Sequence, residues 1–419
     1  MNSYEFLQQN FEICKTVLDK SIEVEQEIRT YLAYVEEVSR YNQFKVLKAF
    51  QKNRVSDIHF AGTTGYGYDD LGREVIDRVY ADTFGVESAL VRHNIISGTH
   101  AISLCLFAVL RPGDTLLAVT GKPYDTLHKT IMSVGNGSLR DFGVNYKQVD
   151  LINGEVDFEG IKNAIDNTTK AVLIQKSKGY EFRKSFNCEE VENIISVVKG
   201  IDRSIICIVD NCYGEFVEKK EPKGDLIAGS LIKNPGGGFA PTGGYIAGRE
   251  EYVELASYKL NAVGLGRECG ATLGLNRAIL QGFFMAPHIV GEAVKSAIFC
   301  SALCKTLGFD VLPTKDIPRS DIIQAVKFNS SHDIINFCQG IQSGAPIDSF
   351  VSPTPWAMPG YDNEVIMAAG AFNQGASIEL SADAPIREPY AAYVQGGLTY
   401  DSAKVGIMRG LSNILTTSS

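Results

Sequence analysis

Ser230-Leu231-Ile232-Lys233-Asn234-Pro235-Gly236-Gly237-Gly238 sets a hydroxyl three residues ahead of a lysine and then forbids helix. Pro235 and the three glycines that follow put Ser230 and Lys233 in an irregular, approachable loop rather than on a solvated helix face. A lysine held among glycines and apolar residues is readily desolvated, which favours the neutral amine that forms a Schiff base with a carbonyl. Ser196 and Lys199 repeat the spacing but lie in an amphipathic helical pattern, where they read as a surface pair.

Upstream of this loop the chain alternates between β and α patterns. Ala89–Asn94 reads as a strand running through Ser97-Gly98-Thr99 into the apolar helix Ala101–Leu110. That turn offers free backbone N–H groups, two hydroxyls and the positive end of a helix to an anion, or else an ordinary Ser/Thr cap. Strands at 114–120, 145–149, 170–175 and 204–209 are each separated by helices, the helix at 189–199 being capped by Asn187. Such alternation predicts a mostly parallel sheet with helices on both faces and ligands bound at the carboxyl ends of the strands. Ser97 to Thr99, Tyr124, Gln175 to Ser177 and Asp210 all fall at those ends. Asp210 emerges from the buried run Ile205 to Val209, where a carboxylate needs a partner, and Tyr213 follows three residues later.

Beyond the loop, a strand at 243–247 and a helix at 249–260 precede a long helical stretch from about 270 to 307. Strands near 322–328, 365–371 and 376–381 and a last helix at 400–415 predict a smaller α+β unit. Ahead of everything, apolar residues at helical spacing over 4–50 predict packing or subunit-contact helices. The expected organisation is a helical segment 1–55, a large α/β domain 56–290 and a small C-terminal domain 291–419.

The 419 residues allow more than one structural unit. A net charge of −9 without a Lys/Arg run argues against a nucleic-acid surface and for small metabolites as partners. Nine cysteines without a Cys-x-x-Cys pair fit a reduced compartment, and six histidines form no ligand cluster, so no metal is expected. Residues 1–30 carry six acidic side chains and no continuous apolar core, which excludes a signal peptide. No later stretch reads as a bilayer span, so a cytoplasmic location is expected.

A pyridine ring with an aldehyde, a phenolic oxygen and a phosphate would use these groups together: Lys233 on the aldehyde, Asp210 on the ring nitrogen, Tyr213 on the phenolic oxygen, and Gly98, Thr99 and Ser230 on the phosphate. That molecule is pyridoxal 5′-phosphate, and Tyr124 could stack on its ring. Ser-Gly-Thr, Asp-x-x-Tyr and Ser-x-x-Lys in this order resemble the aspartate-aminotransferase-like (type I) fold of PLP enzymes. The strings GTTGYGYDDLGRE, HNIISGTHAI, VDNCYGEF, GSLIKNPGGGFAPTGGYIAG and SADAPIREPYAAYVQGGLTYDSAKVG resemble the methionine γ-lyase-like group, also labelled aluminium-resistance or cystathionine β-lyase-like proteins. The likeness covers nearly the whole chain.

The resemblance implies elimination at Cβ or Cγ of a sulfur amino acid, with Lys233 as proton shuttle. It also implies a homodimer or homotetramer in which a neighbouring subunit lends a tyrosine and an arginine to the phosphate. Tyr66, Tyr68 and Arg73 are the nearest counterparts, although GYGYDDLGRE departs from the usual Tyr-x-Arg. Arg387 is the candidate for the substrate carboxylate, ahead of Arg183 and Arg409. A γ-replacement transferase, an aminotransferase, an aldolase or a non-catalytic PLP-binding protein are the alternative readings.

Overall fold

The computed structural model describes residues 1–417. Helices α1 (Ser3–Asn10), α2 (Lys15–Glu27) and α3 (Arg29–Lys52) come first, followed by α4 (Leu71–Phe84), β1 (Ser88–Arg92) and α5 (Gly98–Val109). Next are β2 (Thr115–Ala118), α6 (Asp125–Met132), β3 (Asn145–Gln148), α7 (Phe158–Ala164), β4 (Thr169–Gln175) and α8 (Cys188–Ile201). The sheet is completed by β5 (Ile206–Asp210), β6 (Leu226–Ser230) and β7 (Gly244–Gly248), before α9 (Glu250–Leu260) and α10 (Asn276–Thr306). The C-terminal part holds β8 (Asp310–Leu312), β9 (Gln324–Lys327), α11 (Ser331–Ser343), β10 (Val365–Ala368), β11 (Ser381–Pro385), β12 (Ala391–Gln395) and α12 (Tyr400–Thr417).

Seven strands form one sheet in the order β1-β7-β6-β5-β4-β2-β3, parallel except for β7, which runs against both β1 and β6. Its central strands are near-continuous apolar runs, buried on both faces as a helix-covered parallel sheet requires. The register aligns Gln175 with Asp210 and Asp210 with Ala228. The carboxyl ends of β4, β5 and β6 therefore open onto one edge, and β1 delivers Ser97 to the same side.

Side-chain caps set the helix starts. Ser97 accepts from the His100 N–H at 3.1 Å, and Asn187 and Glu190 form the reciprocal capping box expected at α8. Helices α2 and α3 pack on α10, and α1 packs on α2. Buried Asn42 on α3 donates to the carbonyls of Phe216 and Glu218, both at 2.9 Å.

A second, wholly antiparallel sheet has the order β10-β11-β12-β9-β8. The strand expected at 376–381 begins only at Ser381. Before it, the Glu379 carboxylate takes the N–H groups of Phe372 and Asn373 at 2.8 and 3.0 Å and holds the chain in turns. β6, β8, β12 and α11 go beyond the sequence expectation. Ser230 is correspondingly the last residue of β6, not part of an irregular loop.

α10 also corrects the reading that no stretch could cross a bilayer. It is long and apolar enough, but 72% of its most apolar window is buried inside the protein, which makes it a core helix.

Candidate active site

The residues that follow β5 and β6 meet the N-terminus of α5. Lys233 lies in the turn after β6, and its Nζ stands 3.8 Å from the centre of the Tyr213 ring. A Cβ built on Gly98 would lie 2.7 Å from Cys212 Sγ and 3.9 Å from both Lys233 Nζ and Ser230 Cβ. Only glycine leaves the α5 terminus this close to the lysine. Thr99 Oγ1 lies 3.0 Å from the Tyr124 hydroxyl and 3.1 Å from Thr126 Oγ1, and Gln175 Oε1 accepts from the Tyr124 N–H at 3.0 Å. Gly98, Thr99, Tyr124, Gln175, Asp210, Tyr213, Ser230 and Lys233 are thus brought together in one cluster, with Ser97 capping α5 next to it.

Asp210 is 2% exposed and accepts from the Cys212 N–H at 3.1 Å. Burial raises its pKa, while the Lys233 charge and that N–H pull it back. For Lys233, burial works against the ammonium, but Cys212, Tyr213, Asp210 and Tyr124 around it outweigh burial and hold the pKa well above its ordinary value. This corrects the expectation of a neutral amine made by desolvation. With the Cys212 thiol and the Tyr124 and Tyr213 hydroxyls themselves pushed up by burial, the Asp210 carboxylate is the anion that favours the ammonium form.

Several residues of the pocket carried no sequence signal. Asn234 donates to the carbonyls of Tyr213 and Glu215 at 3.0 and 2.9 Å, clamping a turn in which Tyr213 has φ +73° and Phe216 φ +63°. Glu215 is fully buried, accepts from the Tyr245 hydroxyl at 2.8 Å and has its second oxygen unpartnered. Burial pushes it up to about 8. From the small sheet come Asp383 and Gln395, facing Tyr180.

Other expected site residues lie elsewhere. Tyr66 and Tyr68 are 70% and 54% exposed, stacked on each other at 5.6 Å on an outward loop, and no contact ties them to Lys233 of their own chain. Arg73 is committed to that loop's base. Its Nη1 donates to the carbonyls of Gly67 and Gly270 at 2.5 and 2.8 Å and its Nη2 to Glu268 at 3.2 Å, so its guanidinium is not offered to a phosphate. Arg183 and Arg409 are likewise tied to Ser177 O and to Glu12. Arg387 is exposed, and among the described residues its guanidinium is held by Asn363 Oδ1 at 3.3 Å, in the turn between β11 and β12.

A parallel sheet whose strand ends gather a lysine, a buried aspartate and a helix N-terminus, with a smaller antiparallel domain beside it, is the type I PLP-enzyme fold. At 16% identity, the structure of the pyridoxal-5′-phosphate-dependent protein YhfS from Escherichia coli shares it, with a TM-score of 0.61 over 91% of this chain and 97% of that one. The methionine gamma-lyase family model matches residues 17–415, and the chain belongs to that family. It is 50% identical to the uncharacterized protein YnbB of Bacillus subtilis, over 94% of this chain and 96% of that one. The solved structure described as a carbon-sulfur lyase involved in aluminum resistance from Clostridium novyi NT is also 50% identical. It has a TM-score of 0.94 over 99% of this chain and 100% of that one.

Proposed function

We propose that this protein is a PLP-dependent lyase that breaks a C–S bond of a sulfur-containing amino acid by β- or γ-elimination. The observation that carries the reading is the convergence of Lys233, Asp210 and the Gly98 terminus of α5 in one pocket. The groups present fit the cofactor. The cradle at Gly98 tolerates no side chain, the helix N-terminus with Thr99 and Ser230 suits a dianionic phosphate, and the buried Asp210 carboxylate suits a protonated ring nitrogen. Lys233 would hold the aldehyde carbon, Tyr213 the phenolic oxygen, and Tyr124 and Gln175 the ring and its surroundings. Bound there, PLP supplies an electron sink for charge developing at the substrate Cα.

The chain's own groups do the rest. Asp210 would face the ring nitrogen and favour its protonated form, and the Lys233 amine would take the proton from the substrate Cα. Arg387, exposed in the turn between β11 and β12, would bind the substrate carboxylate. Tyr66 and Tyr68 stand exposed on their own chain, which supports a homodimer or homotetramer in which they complete a neighbour's site.

Incubating the PLP-loaded protein with cystathionine, cysteine and methionine tests the reading. Release of α-keto acid and ammonia without an added keto acid is the expected result. Consumption of a keto-acid acceptor with no net ammonia would make the protein an aminotransferase instead.

A further inference from the structure

Strand β11 brings a second buried carboxylate to the lysine pocket. Asp383 is 5% exposed, and its Oδ2 accepts from the Tyr180 hydroxyl at 3.1 Å and from Gln395 Nε2 at 3.0 Å. Its Oδ1 receives no hydrogen bond among the described residues. Both donors are neutral. Burial pushes Asp383 up to about 6, against the hydrogen bonds from Tyr180 and Gln395 and, least, the more distant charge of Lys233. Among the described residues no lysine or arginine reaches Asp383 within ion-pair distance, so the carboxylate has neutral donors in direct contact and room for a cation beside them.

The surroundings are suited to one. The Tyr180 ring lies 5.6 Å from Tyr361 and 5.4 Å from Tyr393, which stands opposite Asp383 in the β11–β12 register. Tyr180 and Tyr393 pack in one cluster with Tyr213, the ring beneath Lys233. Electron-rich ring faces beside a carboxylate attract ammonium groups, and desolvation strengthens the attraction. The α-amine of an amino acid is spoken for at the Lys233 position. A cation at Asp383 must therefore belong to the side chain.

We propose that Asp383, walled by Tyr180, Tyr361 and Tyr393, is a specificity subsite for a second, positively charged group on the substrate, so that thioether amino acids ending in an ammonium are preferred over uncharged ones. The inference rests on the lyase reading for the placement of the α-amine.

The test compares S-(2-aminoethyl)cysteine with S-propylcysteine, which have equal length and differ in the terminal charge. Binding to the PLP-loaded protein is read from the change in visible absorbance of the bound cofactor, which does not require the C–S bond to break. The wild type should bind the aminoethyl compound about tenfold or more tightly than the propyl compound. Asp383→Asn should bring that ratio close to one without weakening the propyl compound. Should Asp383→Asn fail to hold the cofactor, Tyr361→Leu replaces it, and loss of a cage wall should again lower the ratio.

An equal preference in wild type and variant overturns the subsite. A parallel loss of both ligands overturns it too, because it marks Asp383 as a mere support for Tyr180. Discrimination without release of keto acid or ammonia upholds the subsite while the lyase reading fails.

Discussion

Lys233 Nζ lies 3.8 Å from the centre of the Tyr213 ring, and the residue next to that lysine, Asn234, holds Tyr213 in place through its carbonyl. Tyr213 is in the left-handed region, φ +73°, which costs a bulky residue about 1–3 kcal/mol unless its surroundings enforce it. The enforcing bonds come from Asn234. Asn234→Ala should lower unfolding free energy by about 2–3 kcal/mol, two buried hydrogen bonds at ~1 kcal/mol each plus the unsatisfied carbonyls. Denaturant melts check this, and an unchanged midpoint would mean that the turn holds itself.

Lys233→Ala should abolish the absorbance at the violet edge of the visible that the PLP-loaded wild type shows. Turnover should fall at least about 100-fold, because the group that moves the Cα proton is gone. Cofactor should still be retained noncovalently by the α5 terminus and Asp210. Undiminished keto-acid release by this variant would reassign the lysine.

Asp210→Asn removes a charge-assisted bond of ~1.5–3 kcal/mol to the ring nitrogen, so kcat should fall about 10- to 100-fold. The loss should appear in kcat more than in KM, since the substrate itself does not touch Asp210. Steady-state rates on one thioether substrate decide it, and a pure KM effect would contradict the assignment.

Glu215 gives a pH signature of stability. Its folded pKa is raised to about 8 from 4.5, so the native state binds the extra proton between those values. Stability from this group therefore falls as pH rises from about 4.5 to 8. Glu215→Gln keeps an acceptor for Tyr245 but cannot ionise. Its advantage over wild type should be small near pH 4.5 and grow to on the order of 4 kcal/mol by pH 8. Paired thermal melts across that range test the sign, and a constant difference would show that Glu215 does not titrate there.

If Tyr66 and Tyr68 serve a neighbour's pocket, two dead variants should rescue each other. Lys233→Ala and the Tyr66→Ala/Tyr68→Ala double variant, each inactive alone, should regain about a quarter of wild-type activity when co-expressed as mixed oligomers. Absence of rescue, with mixed oligomers shown to form, would confine each site to one chain.

The sheet and the lysine pocket were legible because both are written in short segments. Apolar runs of strand length recur between amphipathic stretches, and Ser230, Lys233, Asp210 and Gly98 sit at strand or helix ends where topology forces them together. The electrostatic setting of Lys233 was not legible, because the groups around it arrive from two separate segments, Tyr124 and the stretch from Asp210 to Tyr213. Asp383 and Tyr180 lie 203 positions apart and meet only when the small sheet docks, so no local pattern announces them. Arg73 looked free because a sequence shows no carbonyls. The fold closes three of them on its guanidinium.

α10 runs unbroken from the large sheet into the small one. Near its start, Gly282 would bring a Cβ within 2.2 Å of the Gly236 carbonyl, three residues past Lys233, while its far half packs against β8, β9, β12 and α12. The reactive amine and the Asp383 strand are thus mounted on a single beam. A tilt of the small sheet over a bound ligand would bear on the lysine turn through that helix, with Pro287 between the two contacts as the point where it can bend.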